Sequence, residues 1–478
     1  MLMILAERRF QDLDQQRFAW ASGDHNPIHV DALLARRTQA GVQVVHGIHL
    51  LLWALDTLAL AQPELPPISK LRAQFNKFVG LDERAAVILV QQNPAGAQLI
   101  VSIDGMARSK FSVEFGPAAD DMPGWLNRSL EKFGFSPAPL DLQFEGMSGR
   151  SGQVEFRMTR EKATEMFPAA ARWLGAGRVA ALAATTQLVG MIFPGLHSVY
   201  RGLAISSYTE SDPKNCLGFR VMDADTRFRR VEYEIAGGGL TGTVTSVARK
   251  APVTQATMDS LLGLVGDREF AGSVALIVGG SRGLGELTAK LVARGGGRTM
   301  ITWQSGKADA EMVARDIRTA GGACETFQFD ALKPAAEQLS ALSEIPTHVY
   351  YFATPVIFRP QARPFVPKRF EEFLKVYVQG FWDLANAFYR HQPKLSLFYP
   401  SSVSLDERPE GMTEYTMAKA AGEVLCSDMN VSLAPMHVTR VRLPRLPTDQ
   451  TASIGDVETA DPLEAMLPII REVQSWPR

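Results

Sequence analysis

Residues Ser22 to His29, reading Ser-Gly-Asp-His-Asn-Pro-Ile-His, place two proton carriers, Asp24 and His29, in one short run. Pro27 pushes Asn26 out of helical geometry, so the run reads as a loop. Further on, His46-Gly47 opens a long apolar segment, 48–61, which reads as a buried helix with Gly47 in its first turn. Free amides at such a helix start can hold a developing oxyanion while Asp24 and His29 move protons. The plainer reading of the same residues is a turn with a hydrogen-bonded Asp and a capping His.

A second set lies far along the chain. Gly279-Gly280-Ser281-Arg282-Gly283-Leu284-Gly285 follows the apolar run 274–278 and precedes a helical stretch to about residue 294. A glycine-rich turn between strand and helix lets backbone approach a pyrophosphate, whose charge the helix start favours. An acid at the end of the next strand, 300–303, would bind the ribose hydroxyls of NAD. Here the strand runs into Gln304-Ser305-Gly306-Lys307, while Arg282 and Lys307 offer positive charge, so NADPH is expected over NADH. Ser402 lies just past the strand 395–399, and Tyr415 and Lys419 share one helix face. A phenol near pKa ~10 is a poor acid at neutral pH; a neighbouring ammonium stabilises the phenolate and brings it into range. Ser402 can hold a carbonyl oxygen while hydride arrives.

These residues need scaffolds. The 478 residues are enough for ~3 domains. Residues 1–120 read as a β start, a polar helix over 11–21, the motif loop, the buried helix and strands near 68–78, 85–91, 98–104 and 110–115. Residues 121–250 read as a second, degraded copy. An apolar helix over 178–193 is followed by strands near 198–207, 216–222, 227–234 and 240–247, with no Asp-x-Asn-Pro-x-His before the helix. His197 and Arg201 are given surface or core roles there. Residues 251–268 form a connector, and 269–478 alternate strands and helices as a doubly wound parallel α/β sheet. A helix over 462–473 closes this pattern without a clear last strand.

Bulk composition narrows the partners. Formal net charge is −1, which points away from nucleic acid and anionic membrane surfaces. No apolar run reaches the ~20 residues of a membrane span. Cys216, Cys324 and Cys426 are far apart and lack metal spacing, so no metal is expected and the compartment expected is the reducing cytoplasm. The first residues are too short and too little basic for a signal segment.

The run Ser22-Gly23-Asp24-x-Asn26-Pro27-x-His29 with Val44-Val45-His46-Gly47 resembles the signature of the MaoC-like (R)-specific enoyl hydratases. That resemblance implies the hotdog fold, here as a double hotdog whose first half is catalytic. It also implies Asp24 and His29 handling the water that adds to or leaves an α,β acyl thioester bond, and Gly47 supplying an oxyanion amide. The glycine turn with Ser402, Tyr415 and Lys419 resembles the short-chain dehydrogenase/reductases, more closely the β-ketoacyl reductases, over about 272–450. It implies Ser402 orienting substrate, Tyr415 donating the proton, and Lys419 lowering the tyrosine pKa and holding nicotinamide ribose. It also implies cofactor contacts from Gly279, Ser281, Arg282, Gly283, Leu284, Gly285, Asp330 and Ala353. The chain departs from that family at Val278, Phe352-Ala353-Thr354, Pro444-Arg445, and Tyr377, which stands where the family has asparagine.

Joined, the halves imply NADPH-dependent reduction of a 3-oxoacyl thioester to (R)-3-hydroxyacyl and its dehydration to 2-enoyl thioester, in fatty-acid or polyketide-type biosynthesis. The acyl group rides on coenzyme A or an acyl carrier protein, and a homodimer stays open. Two alternatives stand beside this: hydration then oxidation in the degradative direction, and a non-catalytic scaffold that holds an acyl carrier. A thioesterase fits the Asp-x-Asn-Pro-x-His pattern less well.

Overall fold

Leu and Ala dominate the segment Gly47–Ala61, and no proline interrupts it, so it forms one helix that is apolar nearly all round. Such a helix must be enclosed. Ile48, Leu51, Leu52, Ala54, Leu55 and Leu58 are all fully or almost fully buried. In this computed structural model, which describes residues 2–119, 124–127, 130–142, 144–209, 215–340, 342–358, 364–391, 394–451 and 457–476, the enclosing layer is an eleven-stranded sheet. Its strands alternate as the sequence does. In Ile68–Phe75, Ile68, Leu71, Ala73 and Phe75 are buried, while Arg72 and Gln74 face outward.

The sheet runs, edge to edge, Met3–Arg9, Arg84–Asn93, Gly96–Ile103, Met106–Phe115, Ile68–Phe75, Ser198–Ser207, Leu240–Ala248, Arg230–Gly237, Cys216–Asp225, Ser151–Glu155 and Lys132–Phe133. All neighbours pair antiparallel except the last two, which are parallel. The halves join where Ile68–Phe75 lies against Ser198–Ser207, with Leu71 opposite Ile205. Each half has one long helix followed by four of these strands. The second helix, Ala176–Gln187, continues through the wider turn Leu188–Ile192. Short helices Arg160–Met166 and Pro168–Leu174 precede it. Asp56 of the first helix caps the start of Pro168–Leu174, accepting from the Ala169 and Ala170 amides at 2.8 Å each.

The second compact unit begins at Pro252. Six parallel strands run in the order Cys324–Gln328, Arg298–Trp303, Val274–Val278, His348–Tyr351, Ser396–Ser402 and His437–Leu443. Val274–Val278 is buried at every position, as a central parallel strand must be. The order reverses between Val274–Val278 and His348–Tyr351, leaving a crevice at their carboxyl ends. The stretch expected as a connector contributes core: Met258, Leu261 and Val265 are buried against the same cluster as Phe270 and Leu287. Ser402, expected just beyond its strand, is the strand's last residue and pairs with Leu443. No helix among the described residues is long and apolar enough to cross a membrane.

Candidate functional site

The helix Asp12–Ser22 stops at Gly23, whose left-handed backbone (φ 84°) turns the chain into the motif loop. Asn26 then caps the short helix Pro27–Val30, its side chain accepting from the Ile28 amide at 3.2 Å. Between these two devices Asp24 is driven inward, 1% exposed. Its Oδ1 accepts from the Asn26 amide at 3.1 Å and its Oδ2 from the Thr186 hydroxyl at 2.6 Å. Burial raises the Asp24 pKa above the usual carboxylate value, offset in part by His29 and by the Thr186 bond.

His29 Nδ1 lies 2.8 Å from the Val44 carbonyl, which can only accept. Nδ1 therefore carries the proton and Nε2 the lone pair, the form a base needs. Burial lowers the His29 pKa, against the pull of Asp24. Its ring stacks on His46, centroids 3.7 Å apart and 20° from parallel. His46 is fully buried and held at both ring nitrogens: Nδ1 is 2.9 Å from Gln15 Oε1 and Nε2 is 3.0 Å from the Asp24 carbonyl. Gly47 begins the central helix, so its amide has no intrahelical acceptor. A side chain there would strike the Phe75 ring at 3.0 Å.

Asp24, His29 and His46 offer ligand atoms within 4.8 Å of one another. Both His46 nitrogens are engaged by oxygen partners. The arrangement suits proton transfer better than a metal cage.

Two of these features were not singled out in the sequence. Thr186 comes from the second half's helix, and so does Gly190, where a Cβ would fall 2.2 Å from Asp24 Oδ1. Asn26 Nδ2 donates to the Gly190 and Gly195 carbonyls at 2.8 and 3.0 Å, which locks the motif loop to that half. The available signal was Thr185-Thr186-Gln187, three polar residues in succession inside an apolar helix, all buried. Among the described residues the second half carries no acid/base pair at the matching place. His197 contacts Asp141 at 3.3 Å, and Arg201 is half-buried.

In the second unit the glycine turn sits at the crevice. Gly279 (φ 81°) and Gly283 (φ 58°) hold left-handed backbone. A Cβ on Gly285 would lie 2.3 Å from the Gly279 carbonyl, and one on Gly279 would lie 3.1 Å from the Phe352 backbone. Strand end, turn and helix start therefore close on one another as backbone alone, with the Gly283–Arg294 helix starting uncapped by any side chain. Such a cradle fits a dinucleotide pyrophosphate. Ser281 is buried, Leu284 packs on the core, and Ala353 lines the neighbouring strand end.

Other expectations are modified. Arg282, expected as a cofactor cation, donates to Asp449 Oδ2 at 2.9 Å, so its charge is already compensated. Asp330 accepts from Gln304 at 3.1 Å, which places a carboxylate beside the end of the second strand after all. Ser402 is close enough to Tyr415 for its hydroxyl to favour the phenolate. Burial nevertheless raises the Tyr415 pKa, contrary to the lowering expected from Lys419. The reason is the lysine's own position. Lys419 Nζ donates to the Pro400 carbonyl at 2.6 Å and sits 3.9 Å above the Tyr377 ring and 4.9 Å from Tyr399. Burial there pulls its pKa down to about 7. Tyr377 is buried, its hydroxyl 2.5 Å from Thr354 Oγ1, with its ring edge-on to Tyr415.

A helix-enclosing antiparallel sheet with an acid/base pair, and a six-stranded parallel sheet with a glycine cradle and a Ser/Tyr/Lys set, define two different chemical classes in one chain. Comparison with known proteins gives the same division: residues 6–101 match the MaoC like domain family and residues 273–455 match the short chain dehydrogenase family. The chain thus carries a MaoC-like domain on its N-terminal side and a short-chain dehydrogenase domain on its C-terminal side. No curated protein matches it. Among solved structures it is similar to a putative short chain dehydrogenase from Escherichia coli complexed with NADPH (19% identity, 44% of this chain and 93% of that one, TM-score 0.40). It is likewise similar to a short chain dehydrogenase from Burkholderia cenocepacia in complex with NADP (20%, 44% and 92%, TM-score 0.39). A dehydrogenase/reductase from Sinorhizobium meliloti is another (22%, 42% and 88%, TM-score 0.38).

Proposed function

We propose that the protein is a bifunctional acyl-thioester enzyme that reduces a 3-oxoacyl thioester with NADPH and dehydrates the (R)-3-hydroxyacyl product to a 2-enoyl thioester. The N-terminal unit is read as a double hotdog, the acyl group as carried on coenzyme A or an acyl carrier protein. The observation that carries this reading is the buried Asp24 with its raised pKa beside a His29 whose Nε2 is left basic, in one chain with the Ser402–Tyr415 pair.

In the reductase the glycine turn, Ser281 and Ala353 would hold the nicotinamide cofactor, which supplies hydride when bound. Ser402 orients the ketone oxygen. Tyr415 gives its proton to that oxygen as it becomes an alkoxide, and a raised pKa keeps the phenol protonated until then. In the dehydratase His29 Nε2 takes the proton from C2, and the thioester oxygen gains charge held at the Gly47 amide. Asp24, protonated, gives its proton to the C3 hydroxyl, the C3–O bond breaks, and water leaves. The electron pair from the C2–H bond becomes the C2–C3 double bond. The preference for NADPH rests on the missing acid at Gln304-Ser305; the pairing of Arg282 and the nearness of Asp330 weigh against it.

The test is cofactor oxidation at 340 nm with a short 3-oxoacyl-CoA, NADPH and NADH being compared. Turnover with NADPH ahead of NADH supports the reading. Oxidation of neither, with a 3-hydroxyacyl-CoA also left unchanged, sinks it in favour of an acyl-carrier-binding scaffold.

A further inference from the structure

Away from Asp24 and His29, the second half of the sheet gathers three basic side chains at one end of adjacent strands. Arg249 directly follows Leu240–Ala248, and its amide donates to the His197 carbonyl at 2.8 Å. Arg229 lies on the other side, where its carbonyl accepts from the Ala248 amide at 2.8 Å. Both guanidinium groups bear on the His197 ring electrostatically.

These cations are poorly matched. Arg249 is 6% exposed, yet among the described residues its side chain makes one hydrogen bond, from Nη2 to the Leu196 carbonyl at 2.9 Å, and its Nε has no partner. His197 Nε2 faces Asp141 at 3.3 Å, while its buried Nδ1 has no partner among the described residues. Arg229 donates from Nε to the Ala248 carbonyl at 2.8 Å and lies over the Phe144 ring. Asp141 is 66% exposed and is taken by His197, and no carboxylate among the described residues pairs with either arginine. A buried guanidinium without an anion is costly, and removing it for a well-packed apolar residue commonly stabilises a fold. A ligand anion would offset that charge.

We infer that Arg249, Arg229 and His197 form a binding site for a phosphate group. Several acceptor oxygens on one anion match the guanidinium donors of Arg249 and Arg229, which come from separate strand ends, and a dianion offsets both charges. His197 Nδ1 can meet either a protonated or a bare phosphate oxygen, according to its own charge, which a fully ionised sulfate cannot offer. The exposed Asp141 marks the side open to solvent. Leu196, whose carbonyl holds Arg249, also accepts from Asn26 of the motif loop at 3.4 Å, so an anion here sits against the loop that carries Asp24.

The experiment follows thermal unfolding of the full chain and of Arg249→Met with inorganic phosphate, sulfate, coenzyme A and pantetheine. With phosphate at roughly ten times its Kd the wild-type midpoint is expected to rise by about 4 °C. Sulfate should do less. Arg249→Met should unfold at the same temperature or higher and lose the phosphate response. His197→Gln should keep its fold and respond less to phosphate. Coenzyme A acting more strongly than pantetheine on wild type, but not on Arg249→Met, assigns the phosphate to the acyl carrier. Equal action of the two assigns it to a free anion. A wild type indifferent to phosphate, with Arg249→Met unfolding several degrees earlier, overturns the site and makes Arg249 a structural residue.

Discussion

The Thr186 hydroxyl donates to Asp24 Oδ2 at 2.6 Å, joining the helix of the second half to the motif loop of the first. The second half thus acts on the charge state of the acid in the first. This bond lowers the Asp24 pKa against the upward push of burial.

Thr186→Val keeps the shape and removes the hydroxyl. Asp24 then sits unpaired at one oxygen, and its pKa rises further. The Thr186 bond strengthens as Asp24 gives up its proton, and a hydrogen bond to a charged group is worth about 1.5–3 kcal/mol. Dehydration is expected to slow about ten- to a hundredfold while 3-oxoacyl reduction stays at wild-type rate. The check is separate assay of the two reactions on 3-hydroxyacyl and 3-oxoacyl substrates.

Gly190→Ala is the steric counterpart. The new methyl would stand 2.2 Å from Asp24 Oδ1, so the carboxylate or the wide helical turn has to move. Overpacking of this kind costs about 1–3 kcal/mol of stability. Dehydration is expected to fall more than it does in Thr186→Val, with the reductase again untouched; equal activity would mean that Asp24 is not held where the geometry puts it.

The dehydratase rate should be bell-shaped in pH. His29 must be neutral, and its lowered pKa moves the acid limb below the ordinary histidine range. Asp24 must be protonated, and its raised pKa carries the alkaline limb above the ordinary carboxylate range. In Thr186→Val the alkaline limb is expected to move further up, because a bond favouring the carboxylate is gone. A kcat/KM profile of wild type and variant reads both limbs.

His49 is buried among Phe10, Phe18 and Phe167, and burial lowers its pKa to about 3. Between the unfolded value of 6.5 and about 3, the unfolded chain binds a proton that the folded chain refuses. Stability therefore falls as pH drops through that window, by roughly 3–5 kcal/mol in all. His49→Leu should flatten this slope in urea titrations from pH 6.5 to 4, even though Gln15 loses its 3.3 Å partner.

Much of this was legible beforehand because it is local. The apolar run behind His46-Gly47 could only be an enclosed helix, and the all-apolar Val274–Val278 before a glycine turn could only be a central parallel strand. Asp24 and His29 stood out by spacing within one short run, although His29 lies in the helix Pro27–Val30 rather than in a loop. Thr186 and Gly190 did not, since their relation to Asp24 is set by how the two halves meet, and sequence separation hides that. The compensation of Arg282 by Asp449 was hidden for the same reason. Lys419 stands one turn beyond Tyr415 on one helix, which its spacing showed, but its shelter between Tyr377 and Tyr399 depends on side chains from another helix and a strand.

That shelter gives a further test. Tyr377→Asn opens Lys419 to water, so its pKa of about 7 should climb toward the ordinary lysine value, and any alkaline fall in reduction rate should move up with it. Tyr377→Phe keeps the ring over Nζ, loses only the Thr354 bond, and should leave that limb in place.

The most direct measurement weighs the products formed from one 3-oxoacyl thioester and NADPH by wild type, Asp24→Asn and Tyr415→Phe. Wild type is expected to yield a product that has gained two hydrogens and lost water. Asp24→Asn should stop at the hydroxyacyl stage, and Tyr415→Phe should leave the ketone unreduced while still dehydrating added 3-hydroxyacyl thioester. A wild type that makes no enoyl product from either substrate, or variants that behave as it does, would contradict two sequential sites in this chain.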